Sequence, residues 1–430
     1  MKIKCLSILL LLFILASCSS TPLPKNNAVR VPDDFFGMVH AGNTETDEEY
    51  QLLNEMGVVW VLETFYWQRV ERTPGEFNFS RYDGYVDTAI MQGKKVLAVL
   101  AYDTPWLSNG RARYVSPENT HYFLRYVEEM VRHFKGRVDV WSVWNEPNFM
   151  FWSGTNNEFY DLSRLATERI RETDPDSYII GGAFWRTPAN FIRGMHRAGA
   201  MEGLDGIAFH PYDLNPGRSM RTYDRFLRVL SEINFTGPVW ITEIGYPTDG
   251  WFPLKIAMDD LPSYVVRTIV GSAARGARIL LWYDFFDHFN EGEVPKGTSL
   301  TKRTEASYGL VYPNFQRKNG SFAYELCARF IPGSIYTPEL PLRENIPGNI
   351  ISFTFMNGTY GHNSLILWND RAGIINVNLQ LPGPVISHDI STGDSRILSS
   401  EAFAEMSLEI GTQPLFITWQ GTGTPRLSIR

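Results

Sequence analysis

Three short apolar runs carry the reading of the fold: YIIGGAFW (178–185), GIAFHPY (206–212) and VWITEIGY (239–246). Each is too short for a core helix and rich in β-branched and aromatic residues. Their apolar character is nearly continuous rather than alternating, which marks strands buried on both faces of a parallel sheet. Upstream the pattern recurs as VDVWSVWN (138–145), KVLAVLAY (95–102), VVWVLETF (58–65) and FFGMVHAG (35–42). Downstream comes ARILLWYDFF (277–286). Between the runs lie stretches such as ENTHYFLRYVEEMVRHF (118–134) and NEFYDLSRLATERIRET (157–173), with apolar residues at helical spacing. Eight runs, about 35 residues apart on average, predict an α/β fold, a (β/α)8 TIM barrel over residues 32–335. A doubly wound open sheet is the alternative, but no Gly-rich phosphate loop follows the first run.

Beyond the barrel the helical period is lost. NIISFTFMN, NSLILWND, IINVNLQLP and LEIGTQPLFITWQ are separated by the turn clusters NGTYGHN, LPGP and STGDS. This predicts a C-terminal all-β sandwich over residues 336–430. At the other end, Lys2 and Lys4 precede an apolar stretch too short to span a membrane in the mature protein. Leu15-Ala16-Ser17-Cys18 then resembles the lipobox of bacterial lipoproteins. That resemblance implies a signal peptide over 1–17, lipidation of Cys18, a flexible tether over 18–31, and a place in the bacterial cell envelope. A plain secretory peptide cleaved nearby is the alternative.

The chain of 430 residues has 40 Lys and Arg against 47 Asp and Glu, a net charge of −7. No run of Lys and Arg compensates, so nucleic acid is not an expected partner. Of three cysteines, Cys5 and Cys18 fall in the N-terminal segment, leaving Cys327 alone in a helix-like pattern as a small buried hydrophobe. No disulfide framework follows. Aromatic residues make up 14% of the chain, enough to fill a core and still form flat platforms for sugar rings.

In a barrel of this kind the C-terminal ends of the strands bear the chemistry. The fourth run ends in Trp144-Asn145-Glu146-Pro147-Asn148 and the seventh in Thr242-Glu243-Ile244-Gly245-Tyr246. A carboxylate closing an apolar strand is costly to bury without a role or a partner. Strands four and seven face each other across a ring of eight, so the two glutamates meet at one level. Two facing carboxylates are the minimum apparatus for cleaving a glycosidic bond.

These motifs resemble those of clan A of the retaining glycoside hydrolases, most closely family 39 and its polysaccharide-cleaving relatives, with family 5 as a neighbour. The resemblance implies Glu146 as acid/base and Glu243 as nucleophile, with Asn145 on the sugar 2-OH. His210-Pro211-Tyr212 resembles the clan's His-x-Tyr pair, in which the tyrosine steadies the nucleophile. Trp282 resembles the tryptophan floor of the −1 subsite. His40, Tyr102, Asp103, Trp106 and Trp152, at or after the ends of other runs, are further candidates for contact with substrate. Each also has a plain structural reading as core or loop packing. One departure stands out: where the clan commonly has an Arg late in strand two, five residues before a Trp, this chain has Leu62 and Glu63 ahead of Trp67. The eight His show no zincin spacing with Glu, and there is no GxSxG elbow or P-loop. No metal or other cofactor is expected. The expected partner is a polysaccharide or oligosaccharide, cleaved with retention and internally, by a monomer. An exo-acting β-xylosidase-like enzyme and a non-catalytic glycan-binding lipoprotein are the alternatives.

Overall fold

The computed structural model describes residues 28–107, 111–358 and 361–429. The segment read as a signal peptide and Cys18 lie outside them. In chain order the first half contains β1 (Val29–Arg30), β2 (Phe36–Val39), α1 (Asp47–Glu55), β3 (Trp60–Tyr66), α2 (Trp67–Val70) and the hairpin β4 (Glu71–Thr73) and β5 (Glu76–Phe77). Then follow α3 (Ser80–Met91), β6 (Lys95–Ala101), α4 (Thr120–His133), β7 (Val140–Val143), α5 (Asn156–Thr173), β8 (Tyr178–Trp185) and α6 (Ala189–Arg197). The barrel is completed by β9 (Gly206–His210), α7 (Pro216–Glu232), β10 (Val239–Ile244), α8 (Leu261–Ala273) and β11 (Ile279–Trp282).

Strands β2, β3 and β6 to β11 close into a parallel barrel in sequence order, with β11 paired to β2. All eight apolar runs supply one barrel strand each. Their continuous apolar character follows from burial on both faces. Trp60, Leu62, Val99, Ile180, Trp240 and Leu281 fill the barrel interior, while the alternate residues Val61, Leu100, Ile179, Ile241 and Leu280 pack outward beneath the helices. The helices present matching stripes: α4 buries Phe123, Tyr126, Val127, Met130 and Val131 at spacings of three, one, three and one. Helix α5 starts at a capping box in which Thr155 and Glu158 satisfy each other's backbone N–H. At the closed end Asp34 ties the ring together, taking Arg278 in two contacts of 2.6 and 2.9 Å and Lys95 at 2.7 Å.

Helices α9 (Leu300–Glu305) and α10 (Asn319–Phe330) lead to a β-sandwich made of β12 (Ile335–Tyr336), β13 (Leu342–Glu344), β14 (Ile350–Met356), β15 (Asn363–Asn369) and β16 (Ile375–Pro382). It continues with β17 (Val385–His388), β18 (Ser395–Ser399), β19 (Phe403–Ile410), β20 (Leu415–Trp419) and β21 (Arg426–Ser428). A seven-stranded sheet, β1-β12-β14-β15-β20-β17-β18, faces a four-stranded one, β13-β21-β16-β19. Side chains on the larger sheet alternate in what they cover. Ile351, Phe353, Phe355, Ile366, Trp368 and Phe416 join the barrel's hydrophobic core, whereas Ile350, Leu365, Leu367, Ile417 and Trp419 face the smaller sheet. The N-terminal segment read as a tether corrects in its last residues. Val29 and Arg30 pair with Tyr336 and Ile335 as an edge strand, because the free N–H and C=O groups of β12 offer a template for extended backbone.

A sheet that shares its core with the barrel cannot be removed cleanly. Truncation after Gly333 is expected to strip the apolar cover from Phe330 and its neighbours and to give insoluble protein. Soluble, fully active residues 18–333 would show that this contact is dispensable.

Candidate active site

Strand β7 ends at Val143, and the chain then turns sharply. Trp144 has φ 67° and Glu146 φ 44°, left-handed conformations that cost about 1–3 kcal/mol each for residues with a Cβ. Neighbouring strands hold them in place: the Trp144 N–H donates to the Leu100 carbonyl and the Glu146 N–H to the Ala183 carbonyl, both at 3.0 Å. The Trp144 indole donates to the Phe151 carbonyl at 2.7 Å. The turn drives the Glu146 carboxyl into the mouth of the barrel, where the residue is 6% exposed.

His210, which ends β9, is fully buried between two strands. Its Nδ1 lies 2.7 Å from Glu146 Oε1 and 3.6 Å from Glu243 Oε2, and its Nε2 lies 3.0 Å from Thr242 Oγ1. A regular strand would send Thr242 and Glu243 to opposite faces. The β10 pairing with β11 is irregular between Ile241 and Ile244, and this local distortion lets both side chains reach the pocket. The Tyr212 hydroxyl donates to Glu243 Oε2 at 3.4 Å. One ligand atom each from Glu146, His210 and Glu243 lies within 4.8 Å of the others. The facing of strands four and seven is thus as expected, and it brings the two carboxyls together at one level of the mouth.

Burial dominates the charges here. It pushes the Glu146 carboxyl up to about 8, with the negative charge of Glu305 adding to the rise. Burial also raises Glu243, to about 7, but the His210 and His40 rings pull it back while Glu146 and Asp284 push it further. Two carboxyls this close share one proton near neutrality. The Tyr212 donor and the His40 cation favour the charged form at Glu243, and Glu146 is pushed up the further of the two. Burial favours the neutral form of His210. The neutral ring carries one donor and one acceptor, and the Thr242 hydroxyl can serve as either partner. His210 is therefore able to accept from a protonated Glu146 or donate to an ionised one.

His40 sits at the end of β2 with φ 51° and its Nδ1 3.1 Å from Asp284 Oδ2. Burial works against its charge, but the Asp284 carboxylate outweighs that and raises the ring to about 9, so it is a cation at neutral pH. It supplies positive charge to a mouth that lacks the clan's strand-two Arg. Glu63 is buried, with its Oε1 accepting from the Thr64 N–H at 3.0 Å.

Asn145 meets the Tyr102 hydroxyl, and the Tyr102 ring stacks on Phe151 at 5.6 Å. The remaining candidates also hold the surrounding loops in place. Asp103 accepts the Arg113 N–H at 2.6 Å and pins a loop. Trp106 donates to the Glu71 carbonyl at 2.9 Å and packs on Trp67 and Tyr122. Trp152 is buried against Trp144 and Phe159 and donates to Thr155 O at 2.9 Å, closing the start of α5.

Trp282 is corrected outright. It has no exposed surface and packs outside the strands, where its ring lies 6.1 Å from Tyr246. The adjacent Tyr283 faces the mouth instead, 5.7 Å from the His40 ring and 5.3 Å from that of Tyr308, which in turn stands 6.2 Å from Tyr212. Strand parity carried this signal: Ile279 and Leu281 point inward, so Tyr283 does too. Tyr308 comes from the segment after α9, and no pattern marks it.

Glu146, His210 and Glu243 form the one group of three His, Cys, Asp or Glu side chains among the described residues close enough to share an ion. Both His210 nitrogens already have partners, however, leaving that ring no free lone pair for a metal. No helix among the described residues is long and apolar enough to cross a membrane.

Such a barrel, with two glutamates bridged by a histidine at its C-terminal mouth, has the layout of the clan A glycoside hydrolases. Comparisons agree on that class. Residues 25–216 match the family model for cellulase (glycosyl hydrolase family 5). A β-xylosidase of Caldicellulosiruptor saccharolyticus is 28% identical over 123 residues, 25% of this chain and 25% of that protein. Endo-1,4-β-xylanase A of Phanerodontia chrysosporium is 26% identical over 199 residues, 41% of this chain and 48% of that one. The matches thus span a quarter and just under half of these relatives. Among solved structures, a family 39 glycoside hydrolase from Bacteroides cellulosilyticus WH2 superposes with a TM-score of 0.72 at 19% identity, covering 91% of this chain and 81% of that one. A monomeric β-xylosidase from Caulobacter crescentus CB15 gives 0.65 at 13% identity, over 92% and 98%. The first half of the barrel is thus similar to clan A glycoside hydrolases, and the chain as a whole has the fold seen in family 39.

Proposed function

We propose that the protein is a retaining β-glycosidase acting internally on a β-linked polysaccharide of the xylan type. The observation that carries this reading is the Glu146–Glu243 pair, with one oxygen of each carboxyl within 4.8 Å of the other. Retaining enzymes keep their carboxyls about 5–5.5 Å apart, whereas inverting ones need about 6.5–9.5 Å to admit water. In the first step Glu243 Oε2 bonds to the anomeric carbon as the glycosidic C–O bond breaks, and the Glu146 proton goes to the departing oxygen. In the second, Glu146 takes a proton from water, whose oxygen displaces Glu243. Net retention results. Tyr283 and Tyr308 take the part of the aromatic wall beside the bound sugar. Exposed Phe149, Met150, Trp251 and Phe252 extend apolar surface around the rim, which favours a long substrate over a single terminal sugar.

The first-formed product from a β-linked polymer should be the β-anomer by NMR. The α-anomer would overturn the retaining assignment. Sizing the products from a polysaccharide panel separates internal cleavage from release of single sugars. We also propose a monomer tethered to the bacterial envelope through lipid on Cys18. Membrane fractionation tests the anchor: Cys18→Ala protein that stays bound after a salt wash would refute it.

The raised Glu146 value sets the alkaline side of the activity profile. The acid must be protonated to act, so kcat/KM should fall as pH rises through about 8. Glu305→Gln removes a negative charge that favours the protonated form. Its alkaline limb should therefore move to lower pH while the acid limb, governed by Glu243, stays. An unmoved alkaline limb would show that Glu305 does not act on Glu146.

A further inference from the structure

Arg218, Arg221, Arg225 and Arg228 recur along α7 at spacings of three, four and three, which places them on one helix face. This is a local concentration of positive charge in a chain whose net charge is −7. The nearby carboxylates are already engaged. Asp213 holds Arg186 and Arg218, Asp224 holds Arg275, and Glu232 holds Arg193. Arg225 and Arg228 are exposed, and among the described residues neither has a carboxylate within 4.0 Å. Arg225 donates to the Thr222 hydroxyl at 3.0 Å.

These two guanidinium groups line a groove of about 670 Å³ together with Asn148, Trp185, Arg186, Pro188 and Glu232, whose carboxylate is held by Arg193. Its upper end belongs to the mouth of the barrel. Asn148 follows Glu146 by two residues and clamps the Trp185 backbone, donating to its carbonyl at 2.9 Å and accepting its N–H at 3.0 Å. Phe149 stacks on the Trp185 ring at 4.1 Å and 15°. The groove thus runs from an aromatic pair beside Glu146 to a pair of arginines without acidic partners.

We propose that this groove is an outer subsite for glycan units carrying an anionic group, a carboxylate or a sulfate ester. The aromatic pair offers a face for a sugar ring, and guanidinium groups bind carboxylate and sulfate through paired, charge-assisted hydrogen bonds. The groove deepens the glycosidase reading and rests on it for the identity of the ligand as a glycan. A flat anionic membrane would meet the arginines but would leave the concave aromatic end unused.

Binding, measured without turnover, tests the groove separately from the reaction. In full-length Glu243→Gln protein, affinity electrophoresis should show roughly tenfold tighter binding to glucuronic-acid-substituted xylan than to the same polymer after carboxyl reduction. Adding Arg225→Gln and Arg228→Gln should bring that ratio close to one with an unchanged Tm. A sulfated xylan run alongside tells which anion is preferred, and tighter binding of either charged polymer supports the subsite. Equal binding of the charged and neutral polymers overturns it, as does a preference that survives loss of both arginines. Arginine-dependent binding to vesicles of anionic phospholipid, with no preference among glycans, overturns it in favour of a membrane surface. Wild-type protein that hydrolyses no polysaccharide while keeping the binding preference would refute the glycosidase reading alone.

Discussion

Glu243→Ala should cut kcat by roughly 10⁴-fold or more on every substrate, since it removes the atom that bonds to the anomeric carbon. Glu146→Ala should behave differently. It should be severe where the departing sugar oxygen needs a proton and mild in the first step with an activated aryl glycoside, which leaves unaided. Azide then distinguishes the two variants by stereochemistry. In the Glu146 variant a glycosyl-enzyme accumulates, and azide attacks it without base assistance to give the β-glycosyl azide. In the Glu243 variant no covalent intermediate forms, so azide enters the vacated space and yields the α-azide. An α-azide from Glu146→Ala would exchange the two roles. His210 makes the assignment physically reasonable: with Thr242 behind it, the ring is matched to either protonation state of Glu146. That is what a group serving first as acid and then as base requires.

Gly245→Ala should be the most damaging change outside the charged residues. A Cβ there would stand 1.8 Å from the Tyr283 carbonyl oxygen and 2.9 Å from its carbon. Backbone cannot rotate away as a flexible side chain could, so β10 and the segment after β11 must separate. Glu243 lies two residues before Gly245, and Tyr283 adjoins Asp284, the partner of His40. We expect a loss of about 3 kcal/mol in stability and about a 10²-fold fall in kcat/KM from displacement of the nucleophile. Thermal melting and aryl-glycoside kinetics measure the two effects. Wild-type activity in Gly245→Ala would mean that the close approach of these strands does not position Glu243.

The eight barrel strands, the β-rich C-terminal module and the two glutamates were all legible from short windows of sequence. Continuous Val/Ile/Leu runs report burial on both faces, and a carboxylate at the end of such a run signals itself by its cost. Trp282 shows where this kind of reading fails. The aromatic residue was found at the right strand end, but its neighbour Tyr283 faces the pocket. A one-residue error in phase turns a side chain from the mouth to the helix layer. The inward pair Ile279 and Leu281 could have supplied that phase. Trp106 and Trp152, read as sugar platforms, also anchor their loops through indole N–H bonds to backbone carbonyls that no local pattern announces.

The elements that complete the site had no such local signature. Tyr308 and Glu305 reach the mouth from the far side of a long connection after β11, and Asp284 becomes the partner of His40 only when the last strand closes on the first, 244 residues away in sequence. The β10 irregularity that turns Thr242 and Glu243 to the same side is a property of its pairing with β11. Val29 and Arg30 become a strand only because β12 presents an unpaired edge. Periodicity and strand-end chemistry are encoded within a few residues, so the architecture and the two glutamates at its mouth could be read in one dimension. The raised Glu146 carboxyl, the cation at His40 and the tyrosines around Glu243 arise from groups that meet only on closure of the barrel, where burial shifts their charges.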